Sequence, residues 1–215
     1  MTNWIDTVMV LIILSNLMLL GSSRLAACIR IVASQGIILG LLPLLAHEGG
    51  IDGHVVLLAA WSVTLKGVAF PWLLTRAMRD ASVRREVEPF VGYTTSLLAG
   101  CAALAVSLWA GNRLPLPFAI QNSSLTVAVA LFTIMTGLFV IVSRRKAVNQ
   151  VLGYLVLENG IYMYGVAFVQ KSPLLVELGV LLDVFVAVFV MGIMIFHINR
   201  EFDHIDTDQL SILKE

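Results

Sequence analysis

Charge is what this chain has least of: Asp, Glu, Lys and Arg make up 13% of its 215 residues, where an ordinary soluble domain carries about 25%. With 59% hydrophobic residues and a mean hydropathy of +0.91, that scarcity excludes a soluble single domain. Neither sign dominates, since 14 Lys and Arg face 14 Asp and Glu. A basic surface for nucleic acid therefore has no support. Cysteine is nearly absent. Cys28 and Cys101 both lie inside apolar runs with no CxxC or Cys/His spacing, which removes iron–sulfur, haem and zinc readings. No GxGxxG or GxxxxGK[ST] stretch is present, so nucleotide binding is unsupported as well. The expectation is a chain that carries no cofactor of its own.

What the chain does have is long apolar runs, and a bilayer-crossing helix needs about 20 such residues. Seven runs bounded by charge, Pro or Gly are visible: Ile5–Leu20, Leu25–Ala46, Val55–Thr75, Phe90–Ala110, Leu125–Val142, Ala147–Val169 and Leu174–Ile198. The first begins with Asp6 and no basic residue, and Gly21-Ser22-Ser23-Arg24 leads straight into the next, so it reads as a retained helix and not as a signal peptide. Short cytoplasmic loops hold the excess of Lys and Arg. Arg24, Arg76, Arg79, Arg84, Arg85, Arg144, Arg145, Lys146, Arg200 and Lys214 fall on one side, against Arg113 and Lys171 on the other. The expected architecture is an all-α integral membrane protein of seven transmembrane helices, with the N-terminus outside and the C-terminus cytoplasmic.

The connectors are less informative. The loop His47-Glu48-Gly49-Gly50-Ile51-Asp52-Gly53-His54 places two His and two carboxylates in eight residues; its glycines suit a solvated turn better than a metal cage. The tail from Arg200 is polar and acidic, read either as a solvated end or as a docking segment for a cytoplasmic partner. The first three and last three runs share a pattern of apolar helix, Arg-bearing inner loop, outward helix and returning helix, with Lys66 and Asp183 in corresponding places. Internal repeats of this kind occur in transport folds.

Two of the fourteen cations, Arg30 and Lys66, lie within helices. Arg30, about 9 Å from the inner edge, can reach water by snorkelling. Lys66 cannot, because it lies roughly 18 Å from His54 along the helix. Two acids share its level: Glu158, roughly 17 Å from Ala147, and Asp183, roughly 14 Å from Leu174. Each such group costs about 2.5–3.5 kcal/mol at a helix centre, so all three should face protein or water. Lys146, Gln150, Tyr154, Glu158 and Tyr162 recur at steps of four, forming a polar stripe from the cytoplasmic edge to the centre along which protons could reach Glu158. Gly179, Asp183 and Ala187 share a face suited to close helix approach. Glu177, about one turn inside the outer boundary, is a candidate for the outer mouth of a path. Ser62 stands one turn before Lys66, and Pro71 cannot bond back to the Gly67 carbonyl, so a kink with a free acceptor is expected beside the lysine. Burial favours the neutral forms of lysine and acid, whereas mutual proximity favours the charged pair, so such groups are poised to exchange protons. The competing reading is a static pair that only fixes helix register.

Ser143-Arg144-Arg145-Lys146, then Gly153, Glu158-Asn159-Gly160, Val176-Glu177-Leu178-Gly179 and Asp183 before a run ending at Arg200 resemble the K-type subunit of bacterial complex I and the C subunit of multisubunit cation/proton antiporters. Over nearly the whole chain, including Lys66-Gly67-Val68 with Pro71 and the closing Ile205-Asp206 to Leu213-Lys214, the sequence is more similar to hydrogenase-4 component E, a membrane subunit of formate hydrogenlyase and related group 4 hydrogenase complexes. The resemblance implies a non-catalytic subunit of the prokaryotic cytoplasmic (inner) membrane. Its implied partners are antiporter-like membrane subunits and the membrane subunit that anchors the hydrogenase module, within the lipid bilayer. It also implies a lateral proton path in which Glu158 and Asp183 take the places of the K-type glutamates. Relative to Gly153 the family glutamate is expected at Leu155, and this chain carries its acid one turn later, a displacement of about 4.5 Å.

The expected organisation is a four-helix membrane region over residues 1–121, a three-helix K-type-like unit over 122–199 and a cytoplasmic tail over 200–215. The expected function is conduction of protons through Glu158, Asp183, Lys66, Tyr154, Gln150 and Glu177 for a hydrogenase or complex I-like oxidoreductase. The alternative is a component of a multisubunit sodium/proton antiporter without a redox module, and a third class is a scaffold that only seals helices together.

Overall fold

A computed structural model of the chain describes residues 2–46, 53–80, 90–113, 124–144 and 147–168. Those segments are helical: α1 (Thr2–Gly21), α2 (Leu25–Ala46), α3 (Gly53–Thr64), a π-helical turn (Leu65–Ala69), α4 (Phe70–Asp80), α5 (Tyr93–Arg113), α6 (Ser124–Ser143) and α7 (Ala147–Phe168). Six of the seven apolar runs thus coincide with helical segments. The third run is one continuous rod made of α3, the π turn and α4, and it extends to Asp80. The seventh run, Leu174–Ile198, lies outside the described residues. Among the described residues, the spans Trp4–Gly21, Leu25–Leu42, Tyr93–Arg113 and Leu125–Ser143 are long and apolar enough to cross a membrane. The protein is a multi-pass membrane protein.

Lipid tails are as apolar as leucine, so helices here associate by close packing and by polar contacts. The tightest seam joins α6 to α7. A Cβ on Gly137 would lie 2.5 Å from the Leu157 backbone nitrogen, one on Gly153 2.9 Å from the Gly137 carbonyl oxygen, and one on Gly160 2.7 Å from the Ile134 nitrogen. At these three positions only hydrogen fits between the backbones. At the loop end Phe90 N–H donates to the Ser143 carbonyl (2.9 Å), which brings the start of α5 against the end of α6.

Two apolar clusters fill the bundle. One contains Leu19, Leu20, Leu25, Val32, Phe70, Leu74, Val140, Leu152, Leu155 and Val156, in the half nearer the Arg24 and Arg144 loops. The other contains Met9, Ile12, Leu39, Leu42, Val129, Ala130 and Met163, in the opposite half. Helices α1, α2, α6 and α7 pass through both clusters, and polar side chains gather at the level between them. All four tryptophans, Trp4, Trp61, Trp72 and Trp109, are on the outside. Trp72 and Trp109 carry Arg76 and Arg113 against their rings at 5.6 and 5.5 Å, the amphipathic pairing expected near the two ends of a span.

Candidate functional site

Between the two clusters, five helical segments each place polar side chains at one level. Asn16 of α1 stands between Ile12 and Leu19, Gln35 of α2 between Val32 and Leu39, and Thr133 and Thr136 of α6 between Ala130 and Val140. Glu158 and Asn159 of α7 stand between Val156 and Met163, and Ser62 and Lys66 come from α3 and the π turn. All eight are buried. Counted from the Arg24 and Arg144 loops, Gln35 and Thr133 lie about 15 Å along their helices and Glu158 about 17 Å, the middle of a hydrocarbon core about 30 Å thick.

Lys66 and Glu158 meet at the centre of this layer, with Nζ 2.5 Å from Oε1 and 3% and 1% of the two side chains exposed. The Tyr162 ring, one turn beyond Glu158, lies 4.4 Å from the ammonium. It adds a cation–π contact that is stronger when desolvated. The local sequence explains how the lysine gets there. Pro71 has no N–H, and its ring would collide with the Gly67 carbonyl in a regular α-helix. The expected kink is realised as a π turn in which Phe70 N–H donates to the Leu65 carbonyl, five residues back. Such turns recur at functional sites. On the other side, a Cβ at Gly36 would come 2.6 Å from the Lys66 Cβ, so the glycine is what lets α2 lie flat against the π turn.

Of the residues proposed from sequence, the structure brings Glu158 and Lys66 together. Tyr154 is half-buried one turn nearer the loop and packs against the first apolar cluster; Gln150 is exposed. Lys146, Glu177 and Asp183 lie outside the described residues, as does the 47–52 part of the His47–His54 loop. Arg30 is exposed and its Nε donates to the Ala26 carbonyl at 3.3 Å, as expected of a snorkelling cation. Cys28 is buried and Cys101 exposed, both as free thiols.

Three neutral members of the layer, Asn16, Gln35 and Thr133, are not among the residues proposed from sequence. Thr133 Oγ1 donates to the Val129 carbonyl (2.8 Å), Asn16 Nδ2 donates to Thr133 Oγ1 (2.9 Å), and Gln35 Nε2 donates to Asn16 Oδ1 (2.9 Å) and to Ser15 Oγ (2.7 Å). This chain of bonds ties α1, α2 and α6 together. The available signal was an amide or hydroxyl about 15 Å along each apolar run, at the level where only charges had been sought.

A second polar constellation lies at the loop end. Arg144 is buried, donates from Nη2 to the Leu20 carbonyl (3.0 Å) and lies 5.3 Å from the Tyr93 ring. It thereby satisfies one of the carbonyls left open at the C-terminus of α1. Burial pulls the guanidinium down from its ordinary value, with Tyr93 and Cys28 acting in the opposite direction. Arg144 also borders a small cavity lined by Leu19, Ser22, Cys28, Val140, Asn149 and Leu152.

Residues 123–215 match the family NADH-ubiquinone/plastoquinone oxidoreductase chain 4L. Hydrogenase-4 component E of Escherichia coli is 30% identical over 164 residues, 73% of this chain and 74% of the relative. An uncharacterized protein of Mycobacterium tuberculosis is 31% identical over 205 residues, 95% of this chain and 93% of the relative. No solved structure matches. The sequence motifs, the buried lysine–glutamate pair and these similarities lead to one assignment: the chain belongs to the hydrogenase-4 component E family, with a chain 4L-type unit as its C-terminal part.

Proposed function

We propose that this protein is a seven-helix, non-catalytic subunit of a group 4 hydrogenase of the formate hydrogenlyase kind in a prokaryotic inner membrane, with its N-terminus outside and its C-terminus in the cytoplasm. In this reading it carries part of a lateral proton path. The observation that carries the proposal is the Lys66–Glu158 pair, buried at mid-membrane depth in a layer of polar side chains. A carboxylate and an ammonium in contact can each exist charged or neutral, and the balance shifts when a proton arrives. In a purely static core, apolar residues of similar volume would serve stability as well or better.

Glu158 is loaded from the cytoplasmic side along Gln150 and Tyr154, Asp183 is the next acid on the path, Glu177 stands at the outer mouth, and Lys66 is the alternately paired cation. Residues 1–121 form the region that contributes Lys66, residues 122–199 the K-type unit that contributes the acids, and residues 200–215 a tail. Antiporter-like membrane subunits and the subunit that anchors the hydrogenase module would flank it. The test uses the intact complex in vesicles. Glu158→Gln should abolish proton movement while electron transfer and assembly persist, and a variant that still moves protons at the parental rate refutes the proposal. Replacing Gln150 and Tyr154 by Leu and Phe should slow loading; unchanged proton movement removes them from the path. Co-purification of a nickel–iron and iron–sulfur module distinguishes this reading from a sodium/proton antiporter component, which would lack one.

A further inference from the structure

The bonds of the amide chain run in one direction from its far end. The Val129 carbonyl can only accept, so the Thr133 hydroxyl spends its proton on it and accepts from its other neighbour. That neighbour, Asn16, must therefore present its NH2, which leaves Asn16 Oδ1 facing Gln35. Gln35 must in turn present its own NH2 to Asn16. Its second N–H goes to Ser15 Oγ, whose proton is already given to the Ile12 carbonyl (2.8 Å). With the Thr133 and Ser15 protons on the Val129 and Ile12 carbonyls, flipping either amide would set oxygen against oxygen.

Both Gln35 donors are used on α1, which leaves Gln35 Oε1 as the free acceptor of the amide. It is buried and has no hydrogen-bond partner among the described residues. A buried amide oxygen without a donor is costly, and besides α1 the elements packed against α2 are α3, the π turn, α4 and α7. The next residue, Gly36, touches the Lys66 Cβ and carbonyl. Ser62 Oγ, one turn before Lys66, is also buried with no hydrogen-bond partner among the described residues. Among the described residues the titratable groups in this layer are Lys66 on the π turn and Glu158 and Tyr162 on α7. The α1, α2 and α6 segments offer only amides and hydroxyls there; Asp6 lies about 15 Å away along α1.

We propose that Gln35 is a positioning residue for Lys66: its carbonyl oxygen, directly or through one water shared with Ser62 Oγ, receives the ammonium when Glu158 takes up a proton. In that step the proton from the loading side converts the Glu158 carboxylate to the acid, Lys66 keeps its three protons, and the pair carries one added positive charge. The ammonium then needs a new acceptor. Release of the Glu158 proton to the next group restores the carboxylate and draws Lys66 back. Without the amide oxygen, protonating Glu158 would strand an ammonium in a dry core.

The inference rests on the proposed proton role of the Lys66–Glu158 pair, and the experiment separates the two. The intact complex is reconstituted in vesicles, and proton movement is followed with a pH-sensitive dye across a range of pH, alongside electron transfer. Gln35→Leu removes the acceptor. Losing a hydrogen bond to a charged group corresponds to roughly 10- to 100-fold, so proton movement should fall by at least about tenfold, with its pH profile displaced, which a merely structural role would not produce. Gln35→Glu keeps an oxygen in place and adds a charge. It should hold Lys66 permanently and stop proton movement in an assembled complex. Parental rate and profile in Gln35→Leu, or parental transport in Gln35→Glu, overturns the role of Gln35 while Glu158→Gln remains inactive. Continued transport in Glu158→Gln overturns the underlying reading instead. If Gln35→Leu does not assemble, the Gln35→Glu outcome alone decides.

Discussion

Removing one member of the Lys66–Glu158 pair should destabilise the protein far more than removing both. At 2.5 Å two unit charges in an effective dielectric of about 20 attract by about 7 kcal/mol. Desolvation takes back several kcal/mol for each ion, so the net worth of the intact pair is small. Lys66→Met or Glu158→Leu alone discards the attraction and keeps one desolvated charge, a loss of about 3–5 kcal/mol each. The double variant keeps neither charge and fills the space with carbon, so its loss should be near zero, leaving a coupling energy of about 6 kcal/mol or more. Unfolding titrations in mixed detergent and SDS micelles give the three differences. Additivity of the single losses within about 0.5 kcal/mol would show that the two side chains do not interact energetically, and the charge argument would fail with it.

Four further outcomes follow from the packing and the buried hydrogen bonds. Gly137→Ala would set a methyl 2.5 Å from the Leu157 nitrogen and 2.7 Å from the Gly153 oxygen; it should cost at least about 1–3 kcal/mol, read as a lowered melting temperature. Gly21→Ala, with nothing within 4 Å, should stay within about 0.5 kcal/mol of the parent. Thr133→Val leaves Asn16 Nδ2 without its acceptor and should cost about 1–3 kcal/mol, read as a lowered melting temperature. Arg144→Gln breaks the charged bond to the Leu20 carbonyl and should cost about 1.5–3 kcal/mol. Because burial lowers the folded-state value of Arg144 below that of the unfolded chain, the unfolded chain is the stronger proton holder. Any titration contribution therefore appears only in strongly alkaline solution, as stability gained on raising the pH. Between about pH 5 and 9 the guanidinium stays charged, and the Arg144→Gln penalty should be constant; a slope there refutes this account.

Much of the fold is written in run length, because a helix about 30 Å long needs only apolar residues and a loop at each end. Six runs could therefore be read directly, and Lys66 and Glu158 were visible because ions in hydrocarbon are rare. Their pairing was not, since it depends on which helices are neighbours. That is set by Gly36 against Lys66 and by the glycines joining α6 to α7, features that give no charge signal. Asn16, Gln35 and Thr133 escaped notice for a related reason. Amides and hydroxyls cost less to bury than ions, so they pass through apolar runs without interrupting them. The π turn was legible only as a break at Pro71; the widening by one residue is a geometric response that sequence periodicity does not encode.

That widening makes the lysine sensitive to chain length. Every residue from Phe70 onward is turned by about 100° from the bearing an uninterrupted helix would give it. Loss of a single codon within residues 65–69 would therefore rotate either Lys66 away from Glu158 or Phe70 and Leu74 out of the apolar cluster, which no point substitution there would do. A chain tolerant of many side-chain exchanges on its lipid-facing surface would thus have one short stretch where residue number, more than residue identity, is what natural variation must preserve.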